Sequence, residues 1–402
     1  MRKATTEIKT PLNPLLLNPL AKFEPLQQVP LIERIGIDRS VVFSFRLLEL
    51  DTEHIYKIEK NKNCFVELVE NDNSPIQLKN GKRIGKLIIK DKFLGKLIVG
   101  FRKSNLVGTC FIESTLEMTV SGKNQNNLQN LNAKEYRDRI DEIFKYLKDT
   151  YTLEVDYSTL KVKKLELNAT FFLDEPYEKY KYPILMMIRN VSPKRFGKNK
   201  NNNTIKYATW HEADSKIQQD KLETALVKNS SIELKIYNKG KHLQDIGELG
   251  ELEQDIMRVE YTIKDKRILE GAFGSNSIEN ITDEKINKLF KKYFNRDVVE
   301  PFKQWRSKNR KDLVKLVNKH RSQTEKWTGY FFRECRQYAE INGLPILFDI
   351  EDMELVIKEL EPKGSKNAKK KFNRLKKKAV YETDLIGNTR RIKEIINAIL
   401  EM

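Results

Sequence analysis

The sequence predicts an α+β fold in which a mainly antiparallel sheet is flanked by helices and followed by a C-terminal helical region. Two observations carry this prediction. Up to about residue 275, short runs rich in Val, Ile, Leu, Phe and Thr alternate with Asn, Asp and Gly, a pattern typical of strands and turns. After about residue 276, apolar residues recur at helical spacing instead.

The strand-like runs come first along the chain. Between residues 35 and 120 they are SVVFSFRLL, NCFVELVE, KLIIK, KLIVGFRK and GTCFIESTLEMTV. One helix follows, because Asn132 is a favourable N-cap residue with Glu135 three positions later. Apolar residues then recur at helical spacing, at Tyr136, Ile140, Ile143, Phe144 and Leu147.

The second half of the chain begins with strands and ends with helices. Strands are predicted in TLKVKKLELNATFF (159–172), over 230–239 and over 256–264, and a short helix in SKIQQDKLETAL (215–226). Helical patterns then cover 282–294, 301–321, 324–343 and 349–361. The predicted organisation is a Pro-interrupted arm (1–34), an α+β domain (35–275), a helical region (276–361) and a basic tail with a terminal helix (362–402).

Charge predicts the class of partner. The formal net charge is +18, which favours nucleic acid over a membrane because no basic helix with a continuous apolar face stands out. Residues 363–378 hold nine basic residues and no acid, so they form either a solvated linker or a phosphate-contacting segment. Three widely spaced cysteines and four scattered histidines argue against a disulfide framework or a zinc site, and they indicate a reducing, cytoplasmic protein.

Three predicted strands carry candidate site residues. Side chains two residues apart share one face of a strand. This groups Glu166 with Asn168, and Glu260 with its neighbours Arg258 and Thr262. It also groups Tyr237 with Glu233, Lys235 and Lys239. If these strands are neighbours, carboxylates converge beside a phenol, and such oxygen ligands suit Mg²⁺ or Mn²⁺. A metal beside a tyrosine in a basic protein indicates attack on a phosphodiester, with Lys239 lowering the phenol's pKa or binding the phosphate. The competing interpretation is that these polar residues form the ordinary solvent-exposed face of an antiparallel sheet.

Five segments in one order carry a resemblance to a known family. SIELKIYNKGKHL resembles the catalytic-tyrosine strand of rolling-circle replication initiators of the filamentous-phage gene II class, and of plasmid Rep proteins of the Rep_trans type. FIESTLEMTVSGKN, VKKLELNATFF, YATWHEADSK and IMRVEYTIKDKRILEGAFG resemble four further motifs of that class. Together they cover roughly residues 100–275. The resemblance implies an HUH-like catalytic nicking domain over 35–275, although the usual His-hydrophobic-His motif is absent.

The resemblance also implies roles for individual residues. Tyr237 would be the nicking nucleophile and Lys239 its accompanying lysine, with Glu260 as a metal ligand. The family's first acidic ligand falls on Asn168, whereas Glu166 lies two residues earlier on the same face, so both remain candidates for the ligand of Mg²⁺ or Mn²⁺. The expected contacts to DNA come from Arg258, Lys235, Lys369, Lys370, Lys371 and Arg374.

The implied function is initiation of rolling-circle replication of a plasmid or phage. The enzyme would nick a single-stranded or hairpin origin through a 5′-phosphotyrosyl intermediate, with a host helicase as partner and no membrane involved. No second tyrosine lies three or four residues from Tyr237, so a second subunit or water would complete the closing step. Two alternatives stay open: a conjugative relaxase of the same chemistry, and an origin-binding regulator without catalysis.

Overall fold

The structure is a computed structural model that describes residues 31–51, 65–78, 81–91, 95–106, 109–119, 130–180, 184, 205–208, 224–245, 254–320, 370, 373–374 and 383–402. The strands in these ranges are β1 (Leu31–Leu50), β2 (Phe65–Glu70), β3 (Ile76–Gln77), β4 (Arg83–Asp91), β5 (Gly95–Leu106), β6 (Thr109–Thr119), β7 (Leu153–Phe172), β8 (Ile205–Ala208), β9 (Thr224–Lys228), β10 (Ile232–Asn238) and β11 (Ile256–Ile263). The helices are α1 (Ala133–Tyr151), α2 (Lys239–Asp245), α3 (Lys266–Phe273), α4 (Asp283–Phe294), α5 (Glu300–His320) and α6 (Thr383–Glu401).

The strands form one sheet in the order β2-β4-β5-β6-β1-β7-β11-β10-β9-β8, with β3 paired to β4. The pairs β1·β6, β2·β4, β3·β4, β4·β5, β5·β6, β8·β9 and β9·β10 are all antiparallel. The predicted α+β fold with an antiparallel sheet is therefore confirmed. Within the described ranges, no helix is both long enough and apolar enough to cross a bilayer.

Two details of the predicted elements differ from the structure. The strand expected over 230–239 ends at Asn238, and Lys239 begins α2. The short helix expected over 215–226 is wrong for its last three residues, because Thr224 starts β9. The helices expected over 324–343 and 349–361 lie outside the described residues, as does the arm up to residue 30.

One compact unit comprises Arg34–Thr170 and Tyr261–Asn287 within the described ranges. Its core forms where α1 packs on β1, because Phe144 contacts Phe45 edge-on with the two ring centroids 5.4 Å apart. The predicted capping box is present, since Asn132 accepts from the Glu135 amide and the Glu135 carboxylate accepts from the Asn132 amide. All five apolar residues predicted to line this helix are buried.

The second unit comprises Val29–Glu33, Phe171–Glu260 and Lys288–Met402 within the described ranges. The C-terminal helix α6 contributes buried isoleucines to it, at Ile392, Ile395 and Ile399. Arg391 anchors this helix through two hydrogen bonds to the Glu175 carboxylate, at 2.6 and 2.9 Å. The hydrogen bond from Arg391 lowers the pKa of Glu175 below its usual value. The terminal helix is therefore part of the folded core of this unit.

Candidate metal and nucleophile site

Three acidic side chains meet on the central strands of the sheet. Asp38 on β1, Glu166 on β7 and Glu260 on β11 each offer one carboxylate oxygen, and these oxygens lie within 4.8 Å of one another. Glu166 and Glu260 are buried and Asp38 is half-buried. We call these three residues the acidic triad. A buried set of three carboxylates at this spacing could hold a metal ion, and carboxylate oxygens are the ligands that hard divalent cations prefer.

The side chain of Asn130 bridges β1 and β7. Its amide nitrogen donates to the carbonyl oxygen of Arg34 at 2.7 Å and to that of Asn168 at 3.2 Å. Gly36 allows this close approach, since a Cβ atom there would lie 2.4 Å from the Asn130 Cβ. Because Asp38 is two residues beyond Gly36 and Glu166 two residues before Asn168, this contact positions two members of the triad.

Tyr237 lies beside the third member of the triad. Its hydroxyl donates to Oε2 of Glu260 at 3.2 Å, and the ammonium of Lys235 binds Oε1 of the same carboxylate at 2.9 Å. Tyr237 and Glu260 are both 4 % exposed. Lys235 also lies 3.3 Å from the carboxylate of Glu233. Because Glu233, Lys235 and Tyr237 alternate along β10, they share one face of the strand, as the spacing predicts.

Buried polar groups without partners lie on the same strand faces as the triad. The amide oxygen and nitrogen of the Asn168 side chain, and the hydroxyl of Thr262, are buried and have no hydrogen-bond partner among the described residues. Asn168 is two residues from Glu166, and Thr262 is two residues from Glu260. Buried polar groups are normally satisfied, so unsatisfied ones beside a carboxylate cluster indicate that water or a ligand completes the site.

Two residues with roles predicted from the sequence, Lys239 and Arg258, are buried. Lys239 is buried at the start of α2, so strand alternation no longer places it on the face of Tyr237. Arg258 is 1 % exposed, which leaves almost none of its side chain accessible for the predicted contact with DNA. Neither the catalytic role of Lys239 nor the DNA contact of Arg258 is tested by these positions, and both stay predictions.

The basic tail is described in part. Lys370 and Arg374 are exposed, and the backbone at both residues is helical. Lys369 and Lys371 lie outside the described residues. Exposure of the two described side chains is compatible with both sequence-based interpretations of this segment, a solvated linker and a phosphate-contacting run.

Sequence reasoning missed Asp38. The stretch IERIGIDRS contained a signal for this residue. On a strand, Asp38 lies on the same face as Gly36, opposite the apolar face formed by Ile35 and Ile37. That acid is distant in sequence from the other candidates, and only the pairing of β1 with β7 brings it to them.

Comparison with known proteins adds no relative: no family model matches the chain, and no curated protein matches it. The likeness to rolling-circle initiators therefore rests on the five sequence segments alone.

Proposed function

We propose that this chain is a metal-dependent DNA-nicking enzyme that initiates rolling-circle replication of a plasmid or phage. The observation that carries the proposal is the 3.2 Å hydrogen bond from the Tyr237 hydroxyl to Glu260, a member of the acidic triad. A phenol is a weak nucleophile because its pKa is about 10. The Glu260 carboxylate supplies the Tyr237 phenol with a proton acceptor. Because the same carboxylate can bind a cation, it would also bring a positive charge close to the phenol.

The proposed reaction is a transesterification at phosphorus. The Tyr237 oxygen forms a bond to phosphorus while the bond from phosphorus to the 3′ oxygen breaks. The phenolic proton passes to Oε2 of Glu260, which already accepts the hydrogen bond, and the departing 3′ oxygen takes up a proton from solvent, to which Glu260 later releases the phenolic proton. The products are a 5′-phosphotyrosyl protein and a free 3′-hydroxyl. The phosphotyrosyl bond conserves the energy of the phosphodiester, so rejoining needs no ATP.

The metal ligands would be the triad carboxylates and the amide oxygen of Asn168. All are hard oxygen donors, which suit Mg²⁺ or Mn²⁺ better than zinc. When bound, the cation would offset negative charge on the non-bridging phosphate oxygens. Asn168 fits this set because its buried side-chain oxygen has no hydrogen-bond partner among the described residues. On this proposal Glu166 and Asn168 are both metal ligands, whereas the sequence resemblance offered them as alternatives.

The charge distribution supports DNA as the substrate. The helix α5 has exposed lysines at positions 303, 311 and 315, and the last two are neighbours on the helix surface because they are four residues apart. Exposed lysines bind backbone phosphates without recognising the base sequence, and here they would position the origin DNA. A conjugative relaxase would use the same chemistry. The carboxylates beside Tyr237 favour either enzyme over an origin-binding regulator without catalysis.

Replacing Tyr237 with phenylalanine tests the nucleophile. Tyr237→Phe removes only the hydroxyl, so DNA binding should persist while nicking and the covalent adduct disappear. The assay is transfer of a labelled 5′ fragment to the protein in Mn²⁺. The matched control is Tyr157→Phe, because the Tyr157 hydroxyl also donates to a carboxylate, that of Asp141 at 3.1 Å, outside the triad. The control should nick normally. Adduct formation by Tyr237→Phe would exclude Tyr237 as the nucleophile.

A further inference from the structure

Two of the triad carboxylates are each paired with a lysine. The Lys164 ammonium lies 2.5 Å from Oε1 of Glu166, and the Lys235 ammonium lies 2.9 Å from Oε1 of Glu260. The lysine side chains are 25 % and 30 % exposed, whereas the carboxylates are nearly buried. Three carboxylates in close proximity repel one another, and the two ammonium groups offset that repulsion.

A bound cation would compete with Lys235 for Glu260. Both oxygens of this carboxylate are already engaged, Oε1 by Lys235 and Oε2 by Tyr237. A divalent ion binds a carboxylate oxygen at about 2.0–2.6 Å, which would place two positive charges beside the ammonium. Like charges at that separation repel strongly. The ion and the ammonium therefore compete for this carboxylate.

Glu233 offers a second acceptor for Lys235. Its carboxylate oxygen lies 3.3 Å from the Lys235 ammonium, and it does not belong to the triad. Lys235 can thus leave Glu260 without losing all ionic interactions. Because its side chain is partly exposed, the displaced ammonium is available to a phosphate arriving from solvent.

We propose that Lys235 is an exchangeable counter-ion that couples metal binding to DNA binding. Without metal it neutralises Glu260. With metal it is displaced from Glu260 and binds a phosphate oxygen of the DNA. Because coupling between two binding equilibria is reciprocal, DNA then strengthens metal binding by the same factor by which metal strengthens DNA binding. The DNA half of this inference rests on the proposed function, whereas the competition between lysine and metal does not.

The competition is tested by titrating Mn²⁺ alone, followed by calorimetry. Lys235→Gln removes the competitor, so Mn²⁺ should bind about two- to fivefold more tightly, a range set by ion pairs of this exposure. Lys235→Arg keeps the charge and should stay close to the unaltered protein. The matched control is Lys148→Gln, because Lys148 pairs with Glu154 at 2.7 Å, outside the triad. Unchanged or weaker Mn²⁺ binding by a folded Lys235→Gln protein would overturn the inference.

The coupling is tested in the Tyr237→Phe protein, which cannot cleave. Mn²⁺ is titrated with and without a saturating deoxythymidine oligonucleotide. With Lys235 present, the oligonucleotide should tighten Mn²⁺ binding by about fivefold or more, and Lys235→Gln should lower this factor to the part that comes from direct contact between the cation and the phosphate. An unchanged factor in Lys235→Gln would overturn the coupling. If the oligonucleotide does nothing in either protein while Lys235→Gln still binds Mn²⁺ more tightly, the counter-ion role is supported and DNA is rejected as the substrate.

Discussion

Neutralising Glu260 should have opposite effects on stability with and without metal. Glu260→Gln keeps the size of the side chain and an oxygen that accepts from Tyr237, and it removes only the negative charge. That charge is attracted by Lys235 at 2.9 Å and repelled by two carboxylates within 4.8 Å. Its removal therefore loses one attraction and relieves two repulsions.

These opposing energies are similar in size. At an effective dielectric constant of about 20, two unit charges 4.8 Å apart repel by about 3.5 kcal/mol; because 4.8 Å is the upper limit of the separations, the two pairs amount to at least about 7 kcal/mol. The attraction to Lys235 at 2.9 Å is about 6 kcal/mol on the same scale. Burial of the Glu260 charge adds a desolvation cost that the variant avoids. We therefore expect Glu260→Gln to be about 1 kcal/mol more stable than the unaltered protein in the presence of a chelator.

Metal should reverse this order. Mn²⁺ at about a hundred times its dissociation constant stabilises a protein by about 2.7 kcal/mol, and a variant that lacks one ligand gains less. The assay is urea unfolding followed by circular dichroism, in a chelator and in Mn²⁺. The control is Glu300→Gln, which should stay within about 0.5 kcal/mol under both conditions because its partner Lys303 is exposed. If Glu260→Gln were about 2 kcal/mol or more less stable in the chelator, Glu260 would chiefly anchor Lys235 and the electrostatic reasoning would be refuted.

Two further predictions concern the C-terminal region. Arg391→Met should lower the free energy of unfolding by about 2–3 kcal/mol, whereas Arg390→Gln, whose side chain is 52 % exposed, should cost less than about 1 kcal/mol. Because the folded-state pKa of Glu175 is lowered, the contribution of Arg391 is present above the unfolded pKa near 4.3 and disappears as pH falls through the folded pKa. Acid titration of both unfolding curves should therefore show the penalty of Arg391→Met shrinking below about pH 4, and a constant penalty would contradict the pairing. Glutamine substitutions in the basic tail should flatten the slope of log affinity for DNA against log salt concentration. The slope should change by about 0.7–0.9 for each phosphate that the tail no longer binds. An unchanged slope would identify the tail as a solvated linker. The residues to change are Lys369, Lys370, Lys371 and Arg374. Deleting the tail is a poorer test, because α6 lies beyond it and is buried in the core.

The sequence by itself determined the elements whose hydrogen bonds are local. The capping box of α1 joins Asn132 to a residue three positions away, and the buried face of that helix follows the 3.6-residue period. Strand alternation likewise placed Tyr237 and Lys235 on one face of β10. The same alternation failed at Lys239, because it holds only while the backbone stays extended and the strand ends one residue earlier.

Only the tertiary structure decided which strands are neighbours, and with them the composition of the site. β1 pairs with β6 and β7 rather than with β2, the strand that follows it in the chain, and this brings Asp38 to Glu166. The pairing is held by Asn130, which bridges carbonyl groups on β1 and β7, and no periodic pattern encodes such a bridge. Strand order also determines the ionic partner of Lys235, because Glu260 lies on β11, which is next to β10 in the sheet. Sequence spacing fixes the face on which a side chain lies, whereas long-range pairing decides what it meets there.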